Sequence, residues 1–233
     1  NLPIRIASHW TRGYAYQLQG NHRLARHAYE EVLQLTESDE KSFYGIVATI
    51  SLGQLQELDN QLHQASESYQ SAITLSGEPS HPIMSEAFLG LARINYQWND
   101  LESAQEYGEK CHELLQQMDN TDTTASHMVF LAYLHLSRNN FTGASDVLDE
   151  AEAFVRQNNF MFRLPNIVEA QVCVLIHQGN LTTALQLAET HNLSISLARV
   201  YFAQNDASRA LQVLDSFIQN AKEKELHQNE VML

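Results

Sequence analysis

The chain has 233 residues, with 14 Lys and Arg against 28 Asp and Glu, and a formal net charge of −14. An acidic surface of that size repels phosphate backbones, which excludes direct DNA or RNA binding driven by charge. Hydrophobic residues make up 44% of the chain, ample for a core, while only 18% are charged, so Gln, Asn and Ser cover much of the surface.

Six helical hairpins are predicted in chain order. Ile6–Leu18 pairs with Arg23–Thr36, and Lys41–Leu58 pairs with Gln61–Leu75. Gly77-Glu78-Pro79-Ser80-His81-Pro82 follows as a breaker, because proline lacks an amide donor and restricts the residue before it. The third hairpin is Ile83–Gln97 with Leu101–Met118, and Asp122 or Thr123 is expected to cap the next helix. Thr124–Arg138 with Phe141–Gln157, Pro165–Gln178 with Leu181–Thr190, and Leu193–Gln204 with Ala207–Lys224 complete the set. Phe88, Leu91, Ala92 and Asn95 share one helical stripe, as do Met128, Leu131, Ala132 and His135. No stretch alternates with the period of two that a strand requires, so the expected fold is all-α. The chain starts without Met, and Glu230-Val231-Met232-Leu233 reads as the opening of another helix. It is expected to be a piece of a longer polypeptide.

The hairpins share one signature. Ala25, Ala65, Ala104, Ala144, Ala184 and Ala210 each lie five residues after a glycine or asparagine: Gly20, Asn60, Asn99, Asn139, Gly179 and Asn205. Those types accept the left-handed conformation that ends a helix. Twelve residues before the alanines stand Gly13, Gly53, Ala92, Ala132, Val172 and Ala198, mostly small residues that permit close helix approach. The intervals between alanines are 40, 39, 40, 40 and 26 residues. A fixed period of that length marks a solenoid, expected here as a single domain over residues 1–233. The last interval is short by about one helix. Either the fifth hairpin is truncated at His191-Asn192, or residues are missing from the sequence there.

Three runs carry a family resemblance. Gly20-Asn21-His22-Arg23-Leu24-Ala25-Arg26-His27-Ala28-Tyr29-Glu30-Glu31-Val32-Leu33, with Gly13 and Tyr16 upstream, resembles the turn and second helix of a tetratricopeptide repeat. Gly90-Leu91-Ala92-Arg93-Ile94-Asn95-Tyr96-Gln97-Trp98-Asn99-Asp100-Leu101-Glu102-Ser103-Ala104 is similar to a segment of the large ATP-dependent LuxR-type, maltose-activator-like transcriptional regulators. The run from Leu197 to Leu211 resembles another segment of the same region, in the same order. The resemblance implies a right-handed superhelix of about six antiparallel hairpins. It also implies a sensor domain between a nucleotide-binding switch and a helix-turn-helix, with an inducer bound here and coupled to ATP-driven self-association. No cofactor is then expected in this segment, ATP belonging to a neighbouring domain.

Catalytic signatures are absent from the sequence. It has no G-x-x-x-x-G-K-[ST] loop, no G-x-G-x-x-G, no H-E-x-x-H and no C-x-x-C, and its 11 histidines are scattered without metal-ligand spacing. An enzyme is not expected. Cys111 and Cys173 stand alone within helical patterns, which fits a reducing, cytoplasmic compartment. Asn140-Phe-Thr, Asn180-Leu-Thr and Asn192-Leu-Ser match the glycosylation acceptor pattern, but each lies at a hairpin turn where asparagine has a backbone role. The longest uncharged apolar stretch, Phe43–Leu55, is too short to span a bilayer, so no membrane association is expected.

The informative chemistry lies on the first helix of each hairpin. Positions 7, 8, 11 and 15 before the landmark alanines lie opposite the packing stripe, on the side that lines the concave groove of tetratricopeptide arrays. They present Trp10, Tyr14, Gln17, Gln54, Glu57, Arg93, Tyr96, Gln97, Tyr133, Glu169, His177, Arg199 and Phe202. Aromatic rings beside amides and a few charges suit a sugar-like, peptide or other polar organic ligand, or else they pack against neighbouring repeats. Arg93 and Arg199 are expected to face solvent or to pair with Glu57 or Glu169. Two functions remain open: a sensor that takes a small-molecule inducer or a peptide or protein partner, and a generic scaffold that binds a peptide or helix.

Overall fold

The computed structural model describes residues 2–37, 42–77, 81–118 and 120–230, and their regular structure is helical throughout. Twelve α-helices follow in order: α1 Leu2–Leu18, α2 His22–Thr36, α3 Phe43–Leu58, α4 Leu62–Ser76, α5 Met84–Gln97, α6 Leu101–Leu115, α7 Thr121–Ser137, α8 Phe141–Gln157, α9 Leu164–His177, α10 Leu181–Thr190, α11 Ser194–Ala203 and α12 Ala207–Glu230. A 3-10 turn, Met161–Arg163, precedes α9. The chain divides into two compact units, Asn1–His127 and Met128–Leu233, with the boundary inside α7. The result is an all-α helical-repeat fold.

One turn, used six times, builds the hairpins. Gly20, Asn60, Asn99, Asn139, Gly179 and Asn205 all have positive φ, between 56° and 79°. The left-handed residue donates to the carbonyl three back and the next residue to the carbonyl five back, as in Gly20 N–H to Gln17 O (3.0 Å) and Asn21 N–H to Tyr16 O (2.9 Å). The second of these residues at once caps the following helix. Oδ1 of Asn21, Asp100, Asn140 and Asp206 accepts the amide three residues on, at 3.0–3.2 Å. The landmark alanine then makes the first helical bond, Ala25 N–H to Asn21 O and its five counterparts. This is why a left-handed residue always precedes the alanine by five.

The alanines are buried where paired helices cross, five of them with no exposed surface. Size is matched across that crossing. Tyr29 and Tyr69, four residues after Ala25 and Ala65, are fully buried. A Cβ on Gly13 would lie 2.6 Å from Cε1 of Tyr29, and one on Gly53 would lie 2.8 Å from Cε1 of Tyr69. A Cβ on Gly90 would strike the other edge of the Tyr69 ring, at Cε2. Where the crossing partner is Ala92, Ala132 or Val172, the residue four after the landmark alanine is Gly108, Leu148 or Ala188 instead. In the first unit the core gathers Ile6, Ala25, Tyr29, Val32, Ala48, Leu52 and Leu55. In the second, Val172, Ala184, Ala188 and Val200 pack with Leu175, Ile176, Leu185, Leu187 and Leu197.

Several sequence expectations are corrected. The cap of α7 is Asn120, whose Oδ1 accepts from Thr123 N–H at 3.1 Å, rather than Asp122 or Thr123; the helix therefore starts at Thr121. Helix α6 ends at Leu115 and does not reach Met118. Glu230 is still part of α12 and opens no new helix, and Val231 to Leu233 lie outside the described residues. The same is true of the expected Lys41 start and of Glu78, Pro79 and Ser80 in the breaker. The short last interval is a truncated second helix. Leu193 N–H bonds to Ala188 O at 2.9 Å and Asn192 has φ 53°, so the usual turn closes after ten residues of α10.

Candidate functional site

In the first unit the first helices α1, α3 and α5 lie side by side, and their polar side chains join across the seams. Gln17 Nε2 donates to Gln54 Oε1 (3.2 Å), and Gln54 Nε2 donates to Glu86 Oε2 (3.1 Å). Asn120 Nδ2 donates to the other oxygen of Glu86 at 3.3 Å. The buried Tyr29 hydroxyl feeds the start of the row, donating to Gln17 Oε1 at 2.8 Å. Each glutamine donates with its nitrogen and accepts with its oxygen, so the chain of bonds runs one way and ends on a carboxylate.

A second set lies on the same helices. Arg93 Nε and Nη2 each reach a different oxygen of Glu57 at 2.7 Å, a bidentate pair with side chains 32% and 13% exposed. The Tyr69 hydroxyl donates to Glu57 Oε2 at 3.0 Å. Burial works against the Arg93 charge, but the Glu57 carboxylate outweighs it and holds the guanidinium more firmly protonated than usual. Burial, then the Glu57 charge, lifts the Tyr69 phenol well above its ordinary value, and burial pushes Tyr29 to about 12.

Glu86 is the exception in this unit. Burial raises its carboxyl above the ordinary range and Asp122 adds to the rise, while the amides of Asn120 and Gln54 and the Arg93 charge pull the other way. Among the described residues no ion pair to Glu86 is formed. At the outer end of the row, Trp10 stacks on Tyr14 with centroids 5.7 Å apart and planes 3° from parallel, and Tyr44 tilts against Trp10 at 6.4 Å. Tyr96 is half-buried and Gln97 exposed beside Arg93; Gln97 makes no bond to the row among the described residues.

The second unit holds a looser set. Arg199 Nη1 donates to Glu169 Oε1 at 3.0 Å, with side chains 49% and 36% exposed. The same nitrogen lies 3.6 Å from Cys173 Sγ. Burial raises the Tyr133 phenol, with Cys173 next among the causes. His177 is turned to its own helix, Nδ1–H donating to Cys173 O at 2.8 Å, with its ring tilted against Phe141. Phe202 is exposed.

Both expected Arg–Glu pairings are present, and Gln17, Gln54, Glu57 and Arg93 do come together with their neighbours. Glu86, Asn120, Tyr29, Tyr69 and Cys173 were not anticipated. Glu86 lies seven residues before Arg93, two turns along the same face of α5, and that spacing was the available signal. Cys173 occupies the position eleven before Ala184, equivalent to Arg93 and Arg199, and that shared position is its signal in the sequence.

The chain matches the MalT-like TPR region over residues 1–233. It belongs to that family. No curated protein matches it. Among solved structures, a Rap protein complexed with competence and sporulation factor shares 14% identity at TM-score 0.71, covering 97% of this chain and 68% of its own. The aspartyl phosphate phosphatase F of Bacillus subtilis shares 10% at TM-score 0.65, covering 98% of this chain and 62% of its own. The Pseudomonas aeruginosa pilF structure shares 15% at TM-score 0.57, covering 98% of this chain and 99% of its own. At such identities the likeness concerns the helical-repeat fold alone. No described helix is long and apolar enough to cross a membrane.

Proposed function

We propose that this MalT-like TPR region is the sensing part of a bacterial, cytoplasmic, ATP-dependent LuxR-type transcription regulator. It takes a small-molecule inducer, or a peptide or protein partner, in a groove lined by the first helices of the first unit, α1, α3 and α5. Its own task is recognition, with ATP hydrolysis, self-association and DNA binding residing in or driven by neighbouring domains. One observation carries the reading: the row Gln17–Gln54–Glu86–Asn120, flanked by the Glu57–Arg93 pair, joins the first helices through half-buried polar side chains. Such a row costs desolvation on folding and supplies donors and acceptors already oriented for a ligand. The Rap protein bound to competence and sporulation factor supports the reading as a chain of this fold that holds another factor.

The test is a thermal-shift screen of short peptides and polar metabolites, followed by calorimetry on Arg93→Ala and Tyr96→Ala. Each variant is expected to weaken binding by about 1–3 kcal/mol, the cost of leaving a polar partner unpaired, with helicity unchanged. Normal binding by both variants, or their unfolding, sinks the groove assignment.

A further inference from the structure

We infer that Glu86 is a subsite for a cationic group, an ammonium or guanidinium, on the ligand that the groove takes. The inference rests on the groove reading and adds the charge of what is bound. Glu86 is held in place from two sides, by Gln54 at 3.1 Å and Asn120 at 3.3 Å. Both donors are neutral amides, which fix the carboxylate without giving it an ion-pair partner among the described residues. The nearest guanidinium acts on Glu86 only through space, because Arg93 directs Nε and Nη2 onto the two oxygens of Glu57. Asp122 adds a like charge to the surroundings of Glu86.

A purely structural role would be met better by another residue. A glutamine at position 86 would continue the Gln17–Gln54 row and accept from Asn120, with no buried charge to desolvate. The carboxylate adds only charge, and it adds it where the free protein is made less stable by having it. That is the pattern of a site kept for binding at the expense of stability. Glu86 keeps part of its surface exposed, so an incoming cation can reach it. The net charge of −14 favours the approach of such a ligand from a distance.

The experiment uses a pool of pentapeptides each carrying one arginine, the same pool with neutral citrulline at that position, and the small cations agmatine and spermidine. Binding to the parent protein and to Glu86→Gln is read by calorimetry at fixed ionic strength, and the melting temperature of each free protein is recorded. A cationic probe is expected to bind about tenfold or more tightly than its neutral counterpart, and Glu86→Gln to abolish that preference. The arm that binds tells a peptide guanidinium from a free amine. Glu86→Gln is also expected to melt higher than the parent. Equal binding of the arginine and citrulline pools, no binding by any cationic probe, or a lowered melting temperature in Glu86→Gln overturns the inference. Citrulline peptides that bind equally well, and lose affinity in Arg93→Ala, would overturn the cation subsite while leaving the groove reading in place. Binding indifferent to both substitutions would sink both.

Discussion

Arg93 and Arg199 stand at one repeat position, eleven residues before Ala104 and Ala210, and each pairs with a glutamate from the preceding hairpin. In the first unit the pair is bidentate at 2.7 Å and largely covered; in the second it is a single contact at 3.0 Å between exposed side chains. The second helix beneath makes the difference. Tyr69 fills the crossing between Gly53 and Gly90 and brings its hydroxyl up under Glu57. At the equivalent place in the second unit stands Ala188, with no hydroxyl to offer, and α10 is only ten residues long. The glutamate partner also moves, from eight residues before the landmark alanine (Glu57) to fifteen before it (Glu169). A shared repeat position therefore sets that an arginine points along the first helix; the neighbouring second helix sets how buried and how rigid its pair becomes.

The largest effect should come from the residue that creates the contrast. Tyr69→Ala is expected to cost about 3–5 kcal/mol in urea denaturation, as emptying a large buried site does. Gly53→Ala should destabilise the parent by roughly 1–3 kcal/mol through overpacking. In the Tyr69→Ala background it should instead stabilise, because the ring is gone and alanine favours the helix by about 1 kcal/mol. If Gly53→Ala stabilises both proteins, the size match across the crossing is not what keeps that glycine.

Next in size is a pH effect confined to the first unit. His127 is 3% exposed, donates from Nε2 to Gly108 O at 3.0 Å and stacks on His112. Burial lowers its pKa from 6.5 to about 4, with His112 adding to the fall and the Gly108 bond opposing it. Above pH 6.5 the ring is neutral whether the chain is folded or not, and the stability is whole. Between 6.5 and about 4 the unfolded chain takes up the proton first, so up to about 3 kcal/mol is lost as the pH falls. Glu86, raised by burial, pulls in the opposite direction on acidification. A His127→Gln variant should lack the histidine limb, and hydrogen exchange should place the loss in residues 2–127. Parallel pH profiles for parent and variant would remove His127 as the cause.

The smallest pair of effects tests the arginines directly. Glu57→Gln should cost roughly 2 kcal/mol, since it leaves a largely covered guanidinium without its counter-charge. Glu169→Gln should cost well under 1 kcal/mol and respond to salt, as exposed pairs do. Equal costs at the two sites would mean that Tyr69 and the burial it brings are irrelevant to the pair.

Much of the hairpin scheme was legible because its signals are local. Asn99 or Gly179 at a helix end, a capping Asp100 or Asn140 next to it, and an alanine four residues further are all decided within one turn of chain. The Arg–Glu pairings were also legible, because an arginine on a helix face near a glutamate of the preceding hairpin either pairs with it or faces solvent. The site residues were less so. Asn120 as the cap of α7 was hidden by two equally good capping residues beside it. Glu86 was hidden because its importance arises from Gln54 and Asn120, which lie 32 and 34 residues away in sequence.

The residues by themselves determined an all-α repeat with its turns at Gly20, Asn60, Asn99, Asn139, Gly179 and Asn205, since left-handed φ and capping are properties of a few adjacent residues. They also determined which helix face carries Gln17, Gln54, Glu57 and Arg93, because a 3.6-residue period assigns faces without reference to partners. Only the tertiary structure decided that Glu57 would hold Arg93 by both nitrogens while Glu86 was left with two neutral amides. Counter-charges and desolvation depend on which side chains from other hairpins arrive at a given point in space, and no periodicity within a single helix encodes that.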